Sequence, residues 1–173
     1  EIKESFGDQR ILITGAGGTI GSALARRLLQ AEVNQTYFLD RDESSLHALA
    51  LNLSNSAASH SERCVVGDVK DLTGLHLIID SIRPDIVFHT AALKHLVMLE
   101  RFPREGYLTN ILGTRNVISA GLKVPIARFI NVSTDKAANP TSILGRTKRI
   151  GEIITQETAL QRNEIWSSVR FGN

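Results

Sequence analysis

Residues 10–21 read Arg10-Ile11-Leu12-Ile13-Thr14-Gly15-Ala16-Gly17-Gly18-Thr19-Ile20-Gly21, an apolar run followed by a glycine-rich turn. This order predicts a buried strand that opens through the turn directly into a helix. Gly15 permits the sharp turn, Gly18 lets the backbone approach a bound group, and Gly21 lets the helix pack closely on the strand. Asp40 follows about 20 residues later, where dinucleotide sites carry a ribose-binding carboxylate. A purely structural turn can need the same glycines, but this context favours a pyrophosphate site at the helix start.

Length and composition indicate one globular domain. The 173 residues can bury a sizeable core, and 42% hydrophobic with 22% charged residues is ordinary for a globular protein. The net charge of +2 gives no strong field, so we expect no nucleic-acid partner. No apolar stretch approaches the roughly 20 residues of a membrane-spanning helix. The sequence has a single cysteine, Cys64, which indicates a reducing, cytoplasmic compartment. Because Cys64 lies in an apolar run, we expect its thiol to be buried.

Both ends of the sequence lead us to expect a piece of a longer protein. The chain begins at Glu1 without methionine, and residues 1–9 are polar and resemble a lead-in or linker. The predicted dinucleotide-binding domain occupies residues 10–173, and Asn173 follows directly after a predicted strand. We therefore expect the C-terminal substrate domain to be absent from this sequence.

Short apolar runs alternate with segments of helical periodicity along the chain. The predicted strands are Arg10–Thr14, Thr36–Asp40, Arg63–Val66, Asp85–His89, Ala127–Ser133 and Trp166–Phe171. The predicted helices are Thr19–Ala31, Glu43–Leu53, Asp71–Ile82, Pro103–Gly121 and Ser142–Arg162, with loops at Asn55–Ser61 and Thr90–Phe102. This alternation predicts an α/β fold, a Rossmann-type, doubly wound parallel sheet of strand order 3-2-1-4-5-6.

Acidic residues follow the second and third strands, at the edge of the sheet where ligands bind. Asp40 can accept hydrogen bonds from both hydroxyls of an adenosine ribose and would repel a 2′-phosphate, whereas Arg41 could stack on adenine or attract that phosphate. We therefore favour NAD over NADP. Asp40 could instead cap a helix, as we predict for Asp42. Asp68, followed by Val69, could accept from the adenine amino group or lie in a surface turn.

The fourth strand ends in His89, and the small residues Ala91 and Ala92 follow in a loop that can run along a cofactor. A single histidine in such a strand is more often a hydrogen-bonded core residue than a catalyst. The five histidines show no metal-ligand spacing, so we expect no metal.

Ser133-Thr134-Asp135-Lys136 follows the fifth strand, and Lys148 lies twelve residues beyond on the next helix. A lysine beside a nicotinamide could hold its ribose and lower neighbouring pKa values, and an aspartate with a hydroxyl partner could pass a proton. Alone, Asp135 could be a loop carboxylate and Lys148 a solvated helix residue. Clustered at the expected cleft, the two predict an active site.

Four segments together resemble one known family. They are Thr14–Gly21, Asp68–Val69, His89–His95 (His-Thr-Ala-Ala-Leu-Lys-His) and Ser133–Thr141 (Ser-Thr-Asp-Lys-Ala-Ala-Asn-Pro-Thr). They resemble the extended short-chain dehydrogenase/reductases, and more closely the polysaccharide-biosynthesis branch that holds the nucleotide-sugar 4,6-dehydratases. The resemblance covers the chain from Arg10 to Asn173.

The resemblance implies an internal redox reaction on a UDP-hexose. Hydride leaves C4 for NAD(P)⁺, water is lost across C5–C6, and the hydride returns to C6. By resemblance, Thr134 bonds the C4 oxygen, Asp135 protonates the departing C6 hydroxyl, Lys136 takes the C5 proton, and Lys148 holds the nicotinamide ribose.

The resemblance also implies the binding residues. Those for the cofactor are Gly15, Gly17, Gly18, Thr19, Ile20, Gly21, Asp40, Arg41, Asp68, Val69, Ala91, Ala92, Lys94, Asn110, Ser133 and Lys148. Those for the nucleotide-sugar substrate are Lys94, His95 and Asn173. Family members form dimers through the fourth and fifth helices, and in the large members membrane helices precede this domain, so we expect a homodimer and a membrane-linked longer protein.

One position departs from the family pattern. The superfamily places a tyrosine base four residues before its lysine, and here Leu144 occupies that position. The base for the C4 hydroxyl is then Asp135, Lys136 or a water molecule, or catalysis is lost. Two alternatives to the dehydratase stay open, a nucleotide-sugar epimerase and a non-catalytic dinucleotide-sensing module. We expect the fragment itself to bind NAD(H) without turnover.

Overall fold

The computed structural model of the protein describes residues 1–53, 61–162 and 164–172. Its strands are β1 (Ile11–Thr14), β2 (Thr36–Asp40), β3 (Cys64–Val66), β4 (Ile86–His89), β5 (Arg128–Thr134) and β6 (Ile165–Phe171). They pair in parallel in one sheet, in the order β3-β2-β1-β4-β5-β6. The predicted doubly wound sheet and its strand order are confirmed.

Helices flank the sheet on both faces. They are α1 (Ile2–Phe6), α2 (Thr19–Gln30), α3 (Glu43–Leu53), α4 (Leu72–Ile82), α5 (Leu96–Arg101), α6 (Pro103–Gly106), α7 (Thr114–Gly121) and α8 (Ile143–Leu160). A π-helical segment, Tyr107–Gly113, joins α6 to α7, and a short 3₁₀ turn, Asp135–Ala137, follows β5. None of the helices in the described ranges combines the length and the hydropathy that crossing a bilayer requires.

The central strand divides the core into two layers. Leu12 of β1 packs into the cluster that contains Phe129 and Trp166, beneath α4 and α7. Its neighbours Ile11 and Ile13 pack into the opposite cluster, beneath α2 and α3. Because successive side chains of a strand point to opposite faces, a strand covered on both sides is apolar on both, as residues 11–13 of β1 are.

The N-terminal residues differ from the expected polar lead-in, because residues 2–6 form the short helix α1. Ile2 and Phe6, four residues apart on one helix face, pack against the second core cluster. The ring of Phe6 lies 6.3 Å from that of Phe88 on β4. These two contacts attach the segment to the sheet.

Two further segments differ in detail from the sequence-based expectation. The predicted loop Thr90–Phe102 contains helix α5, whose Leu99 is buried. Cys64 on β3 is only partly buried, although burial does raise the pKa of its thiol. The loop predicted at Asn55–Ser61 lies outside the described residues, except for Ser61.

Candidate cofactor and active site

The glycine-rich turn after β1 presents bare backbone at the start of α2. Gly15 has a φ of +70°, a conformation that favours glycine, and it makes the sharp turn that the sequence predicted. A Cβ at Gly21 would collide with the carbonyl oxygen of Gly15, so α2 packs as closely as expected. No side chain caps α2 at Gly18. Backbone N–H groups of this helix terminus are therefore available to an anion.

The carboxylate of Asp40 at the end of β2 is tied to this turn. Its Oδ2 accepts a 2.9 Å hydrogen bond from the Gly17 N–H, and its Oδ1 accepts one of 3.1 Å from the Asp42 N–H. Asp42 accepts a 3.1 Å bond from the Ser45 N–H, which lowers the pKa of Asp42. The capping role thus belongs to Asp42, as predicted, while Asp40 joins the turn to β2.

A groove of about 130 Å³ opens between the turns that follow β1, β2, β3 and β4. Its lining includes Gly15, Gly18, Asp40, Arg41, Asp68, Val69, Ala91, Ala92 and Thr109. All of these residues except Thr109 were predicted to bind the cofactor. Asp68 in this groove accepts a 2.9 Å bond from the Lys70 N–H.

Two asparagines fix the walls of this groove. Asn110 accepts a 2.8 Å bond from the Leu93 N–H and donates one of 3.0 Å to the Leu93 carbonyl. Asn116 donates bonds of 3.1 and 3.2 Å to the carbonyls of Val69 and Lys70. The amide of Asn110, predicted to bind cofactor, is thus engaged in holding the loop after β4.

A larger cleft of about 520 Å³ continues from the glycine turn toward the ends of β5 and β6. The glycine turn and the start of α2 contribute Gly15, Gly18, Thr19, Ile20 and Gly21 to its lining. The ends of β5 and β6, the 3₁₀ turn and α8 contribute Ser133, Thr134, Lys136, Leu144, Lys148 and Phe171. The loop after β4 contributes Lys94 and His95, and the Lys94 ammonium donates a 3.0 Å bond across to the Thr19 hydroxyl. The structure therefore brings the predicted cofactor loop and the predicted catalytic segment to one cleft.

Thr134, Asp135 and Lys136 form a hydrogen-bonded cluster at the mouth of this cleft. The Asp135 carboxylate accepts a 2.8 Å bond from the Thr134 hydroxyl and a 3.1 Å bond from the Lys136 ammonium. These donors lower the pKa of Asp135, so the free protein holds an ionised aspartate paired with a charged lysine. Asp135 itself is half-exposed beside the cleft lining.

Lys148 is the buried cation of the cleft. It is only 5% exposed, and burial lowers the pKa of its amine to about 8, against an opposing attraction from Glu152. Within the described part of the chain, no group accepts a hydrogen bond from its ammonium. The alternative of a solvated surface lysine is therefore wrong. An unpaired cation facing a cleft is a group that a ligand oxygen would stabilise.

Leu144 lies one helical turn before Lys148 and lines the same cleft at 6% exposure. Because its side chain cannot carry a proton, Leu144 gives the cleft an apolar surface at this position.

His89 is a core residue, as predicted, since its ring lies between the hydroxyls of Thr14 and Thr114 at 2.7 and 3.0 Å. Burial, and then the charge of Lys148, lower the pKa of His89 to about 3.

A buried carboxylate behind the cleft was not predicted. Glu152 on α8 accepts a 2.7 Å bond from the Ser133 hydroxyl and charged bonds of 2.7 Å from Arg170 and 2.9 Å from Arg149. The available signal was its spacing, because a residue four positions after Lys148 lies on the same helix face. Ser133, predicted to bind cofactor, thus donates a hydrogen bond from its hydroxyl to Glu152.

Asn173, predicted to contact substrate, lies outside the described residues. The described ranges contain no group of three or more histidine, cysteine, aspartate or glutamate residues arranged to hold a metal ion.

Comparison with known proteins gives consistent results. The sequence profile of a family described as polysaccharide biosynthesis protein matches residues 11–173. The capsular polysaccharide biosynthesis protein CapD of Staphylococcus aureus is 34% identical over 99% of this chain and 29% of its own length. The UDP-glucose 4-epimerase of Rickettsia canadensis is 31% identical over 97% of this chain and 50% of its own.

A solved structure, that of Pen from Bacillus thuringiensis, is similar to this chain with a TM-score of 0.86 and 31% identity. The match covers 97% of this chain and 51% of Pen. The chain therefore spans from under a third to about half the length of these relatives. Because the family profile matches nearly the whole chain, the chain belongs to the polysaccharide biosynthesis protein family, within the extended short-chain dehydrogenase/reductases.

Proposed function

We propose that the chain is the nicotinamide-dinucleotide-binding domain of a nucleotide-sugar 4,6-dehydratase. One observation carries the proposal, namely that the bare glycine turn and Thr134, Lys136 and Lys148 line one cleft. A structural turn alone would not require a buried lysine and a paired aspartate and lysine beside it.

The residues present fit such a cofactor. A Cβ at Gly18 would meet only the Gly15 oxygen at 3.2 Å, so the helix terminus is open to a pyrophosphate. The unpaired ammonium of Lys148 would hold the nicotinamide ribose, and Asp40 and Arg41 would face the adenosine ribose. Because the Asp40 carboxylate would repel a 2′-phosphate, we propose NAD rather than NADP. When bound, the nicotinamide would accept a hydride from sugar C4 and later return it.

Asp135 and Lys136 would serve as the acid and the base for water loss. Their 3.1 Å contact stabilises the ionised forms in the free protein, so the reactive carboxylic acid and neutral amine would form only once the bound sugar separates the pair. The amine removes the C5 proton of a 4-keto sugar, and the acid protonates the C6 hydroxyl, so that a C5–C6 double bond forms and water leaves. Thr134 donates to the C4 oxygen, while Leu144 leaves the initial C4 deprotonation to this pair or to water.

The cofactor assignment is tested by calorimetric titration of the chain with NAD⁺ and NADP⁺. We expect NAD⁺ to bind more tightly than NADP⁺. Asp40→Asn should weaken NAD⁺ binding about tenfold and reduce the preference for NAD⁺ over NADP⁺. Asp80→Asn, at an exposed aspartate of α4, is the matched control and should bind as the wild type does. Absence of binding by both dinucleotides would overturn the proposal.

The reaction is tested with the full-length protein, because the chain spans only part of its relatives. Incubation with UDP-hexoses and analysis of the products should give a 6-deoxy-4-keto sugar, and Asp135→Asn should abolish turnover. Normal turnover by this variant would contradict the role of Asp135.

The second candidate is a nucleotide-sugar epimerase, in which the keto intermediate is reprotonated without loss of water. It is favoured by the 31% identity with the UDP-glucose 4-epimerase over nearly the whole chain. An epimerised hexose as the product would identify it. A full-length protein that binds NAD⁺ but converts no sugar would instead indicate the dinucleotide-sensing module, with which Leu144 is compatible.

A homodimer remains part of the proposal. Tyr107, Ile150 and Ile153 are apolar side chains exposed on the two helical stretches that we expect to form the interface. Light scattering should give twice the chain mass for the wild type and a monomer for Ile150→Lys. A wild-type monomer would contradict the dimer.

A further inference from the structure

Gly145, in the first turn of α8, lies against the 3₁₀ turn Asp135–Ala137, which we call the reactive turn. A Cβ at Gly145 would collide with the Lys136 carbonyl oxygen and would lie 3.2 Å from the Cα of Pro140. Both neighbours are backbone atoms, which cannot rotate away as the end of a flexible side chain can. The absence of a side chain at position 145 therefore lets the helix and the reactive turn pack in direct backbone contact.

Neighbouring elements hold the start of α8 in place. Glu100 on α5 accepts a 2.7 Å hydrogen bond from the Ile143 N–H. One helical turn further on, Asn110 of the π-helical segment donates a 3.1 Å bond to the buried Thr147 hydroxyl. Because two other elements bind it, the first turn of α8 is a fixed support for whatever packs against it.

The reactive turn is the less constrained partner in this contact. Within the part of the chain that the structure describes, the side chains of Asp135 and Lys136 bond only to each other and to groups of residues 134–136. Only Ala137 of the turn is fully buried. The position of the two reactive side chains therefore depends on the backbone of the turn, and that backbone rests on Gly145.

We propose, resting on the dehydratase reaction above, that the first turn of α8, held by Glu100, positions the Asp135–Lys136 pair through the contact at Gly145. A residue larger than glycine would push the reactive turn away from the helix and misplace the pair relative to the sugar. A misplacement of about 1 Å in reacting groups can cost about a hundredfold in rate. Lys148 would stay in place, because α8 is anchored in the core by its buried face.

The test compares Gly145→Ala with Gly151→Ala, the same change at two positions of one helix, so that the gain in helix propensity is equal. At Gly151 an added Cβ would meet its nearest atom, the Asn110 carbonyl oxygen, at 3.4 Å, an ordinary contact. In the full-length protein, Gly145→Ala should lower kcat on a UDP-hexose by about ten- to a hundredfold and change KM by less than about threefold. Gly151→Ala should keep kcat within about twofold of the wild type. Equal kcat values in the two variants would overturn the inference, as would a loss confined to KM.

Titration of the chain with NAD⁺ separates a shift of the reactive turn from a shift of the helix. Because Lys148 would not move, Gly145→Ala should bind NAD⁺ within about twofold of the wild type. Binding weakened by about tenfold or more would mean that α8 itself is displaced, and would overturn the inference.

Amide proton–nitrogen NMR spectra of the chain need neither substrate nor cofactor. Gly145→Ala should shift the amide resonances of residues 134–138, which include the reactive turn, and leave those of residues 15–21 unchanged. Unshifted resonances at 134–138 would overturn the inference. A wild-type full-length protein that converts no UDP-hexose would instead refute the proposed function.

Glu100→Ala is a second variant, one that adds no atoms to the packed contact. Loss of the bond to Ile143 should loosen the start of α8 and lower kcat by about three- to tenfold, the usual effect of one hydrogen bond. Glu100→Gln keeps an acceptor oxygen and should stay within about twofold of the wild type. Undiminished kcat in Glu100→Ala would show that the support of α8 does not control the reactive turn, and would overturn the inference.

Discussion

Glu152 on α8 accepts a 2.7 Å hydrogen bond from Ser133 at the end of β5. Arg170 donates to both oxygens of the same carboxylate, and Arg149 donates to one of them. The carboxylate therefore joins α8, β5 and β6 behind the wall of the cleft. Burial alone would raise its pKa, but the bonds from Arg170, Ser133 and Arg149 prevail and lower the pKa of Glu152 to about 2.

This arrangement predicts that the protein loses stability at acid pH. Since the pKa of Glu152 is lower in the folded than in the unfolded chain, its stabilisation is present above pH 4.5 and is lost as the pH falls toward 2. Glu152→Gln should lower the free energy of unfolding at pH 7 by about 2–4 kcal/mol. Between pH 5 and 3 the free energy of unfolding of Glu152→Gln should then fall by about 2 kcal/mol less than that of the wild type.

Urea denaturation at pH 7, 5 and 3 measures both effects. Glu157→Gln, at an exposed glutamate of the same helix, is the control and should follow the wild type. If Glu152→Gln and the wild type lost stability in parallel between pH 5 and 3, the carboxylate would not be the acid-sensitive group.

His89 predicts a separate pH dependence at milder acidity. Its buried ring stays neutral in the folded chain to about pH 3, whereas the unfolded ring takes up a proton below 6.5. The unfolded state then binds more protons, so stability should fall by about 2 kcal/mol from pH 7 to 5. His89→Gln should be less stable at pH 7 by about 1–3 kcal/mol, since the buried hydroxyls of Thr14 and Thr114 each lose a hydrogen bond to the ring. The variant should also lack the fall in stability from pH 7 to 5.

Chemical denaturation at pH 7 and 5 tests this. His47→Gln, at an exposed histidine of α3, should keep the wild-type fall. A fall of equal size in His89→Gln would show that another group is responsible.

The sheet and the glycine turn could be predicted from the sequence because their signals are local. A continuous apolar strand, a positive-φ glycine and a following amphipathic helix lie within residues 10–30, and the strand order follows from alternation and handedness. Helix α1 was missed because only Ile2 and Phe6 carry its periodicity, and two residues do not outweigh a polar setting.

The groups that surround the cleft could be predicted only in part. Lys148 was singled out by its spacing, but its burial depends on contacts with strands distant in sequence. Glu152 offered only its spacing from Lys148, because its hydrogen bonds form only once α8 packs on the sheet. Thr109 gave no local signal, because the lack of a partner for its hydroxyl appears only in the packed π-helical segment. Tertiary packing, not residue type, sets their chemistry.

Gly21 predicts a steric requirement of the turn. Gly21→Ala places a methyl group against the Gly15 carbonyl and 2.8 Å from the Ala16 Cα, and backbone atoms cannot move aside cheaply. Overpacking of this kind should destabilise the chain by about 1–3 kcal/mol, and displacement of α2 should weaken NAD⁺ binding more than tenfold.

Thermal unfolding and NAD⁺ titration measure the two consequences. Gly172→Ala, where an added Cβ meets nothing within 4 Å, is the matched control and should leave both unchanged. Undiminished NAD⁺ affinity in Gly21→Ala would argue against pyrophosphate binding at this turn.

The burial of Lys148 predicts that this lysine lowers the stability of the fold while it favours cofactor binding. Burial lowers the pKa of its amine to about 8, whereas the unfolded amine titrates near 10.5, so the unfolded chain holds more protons at neutral pH and the buried lysine destabilises the fold there. Lys148→Met should therefore raise the free energy of unfolding at pH 7 by about 1–3 kcal/mol. The variant should also lack the increase of about 1 kcal/mol in the free energy of unfolding that the wild type shows from pH 7 to 9.

The same substitution should weaken NAD⁺ binding at least tenfold, because the ammonium that would hold the nicotinamide ribose is gone. Denaturation at pH 7 and 9 and calorimetric titration give the two readouts, with Lys123→Met at an exposed lysine as the control. A variant that gains stability while it loses the ligand would identify Lys148 as a residue kept for binding at the expense of the fold. A variant that loses stability, or that binds NAD⁺ as the wild type does, would instead assign this lysine to the structural core.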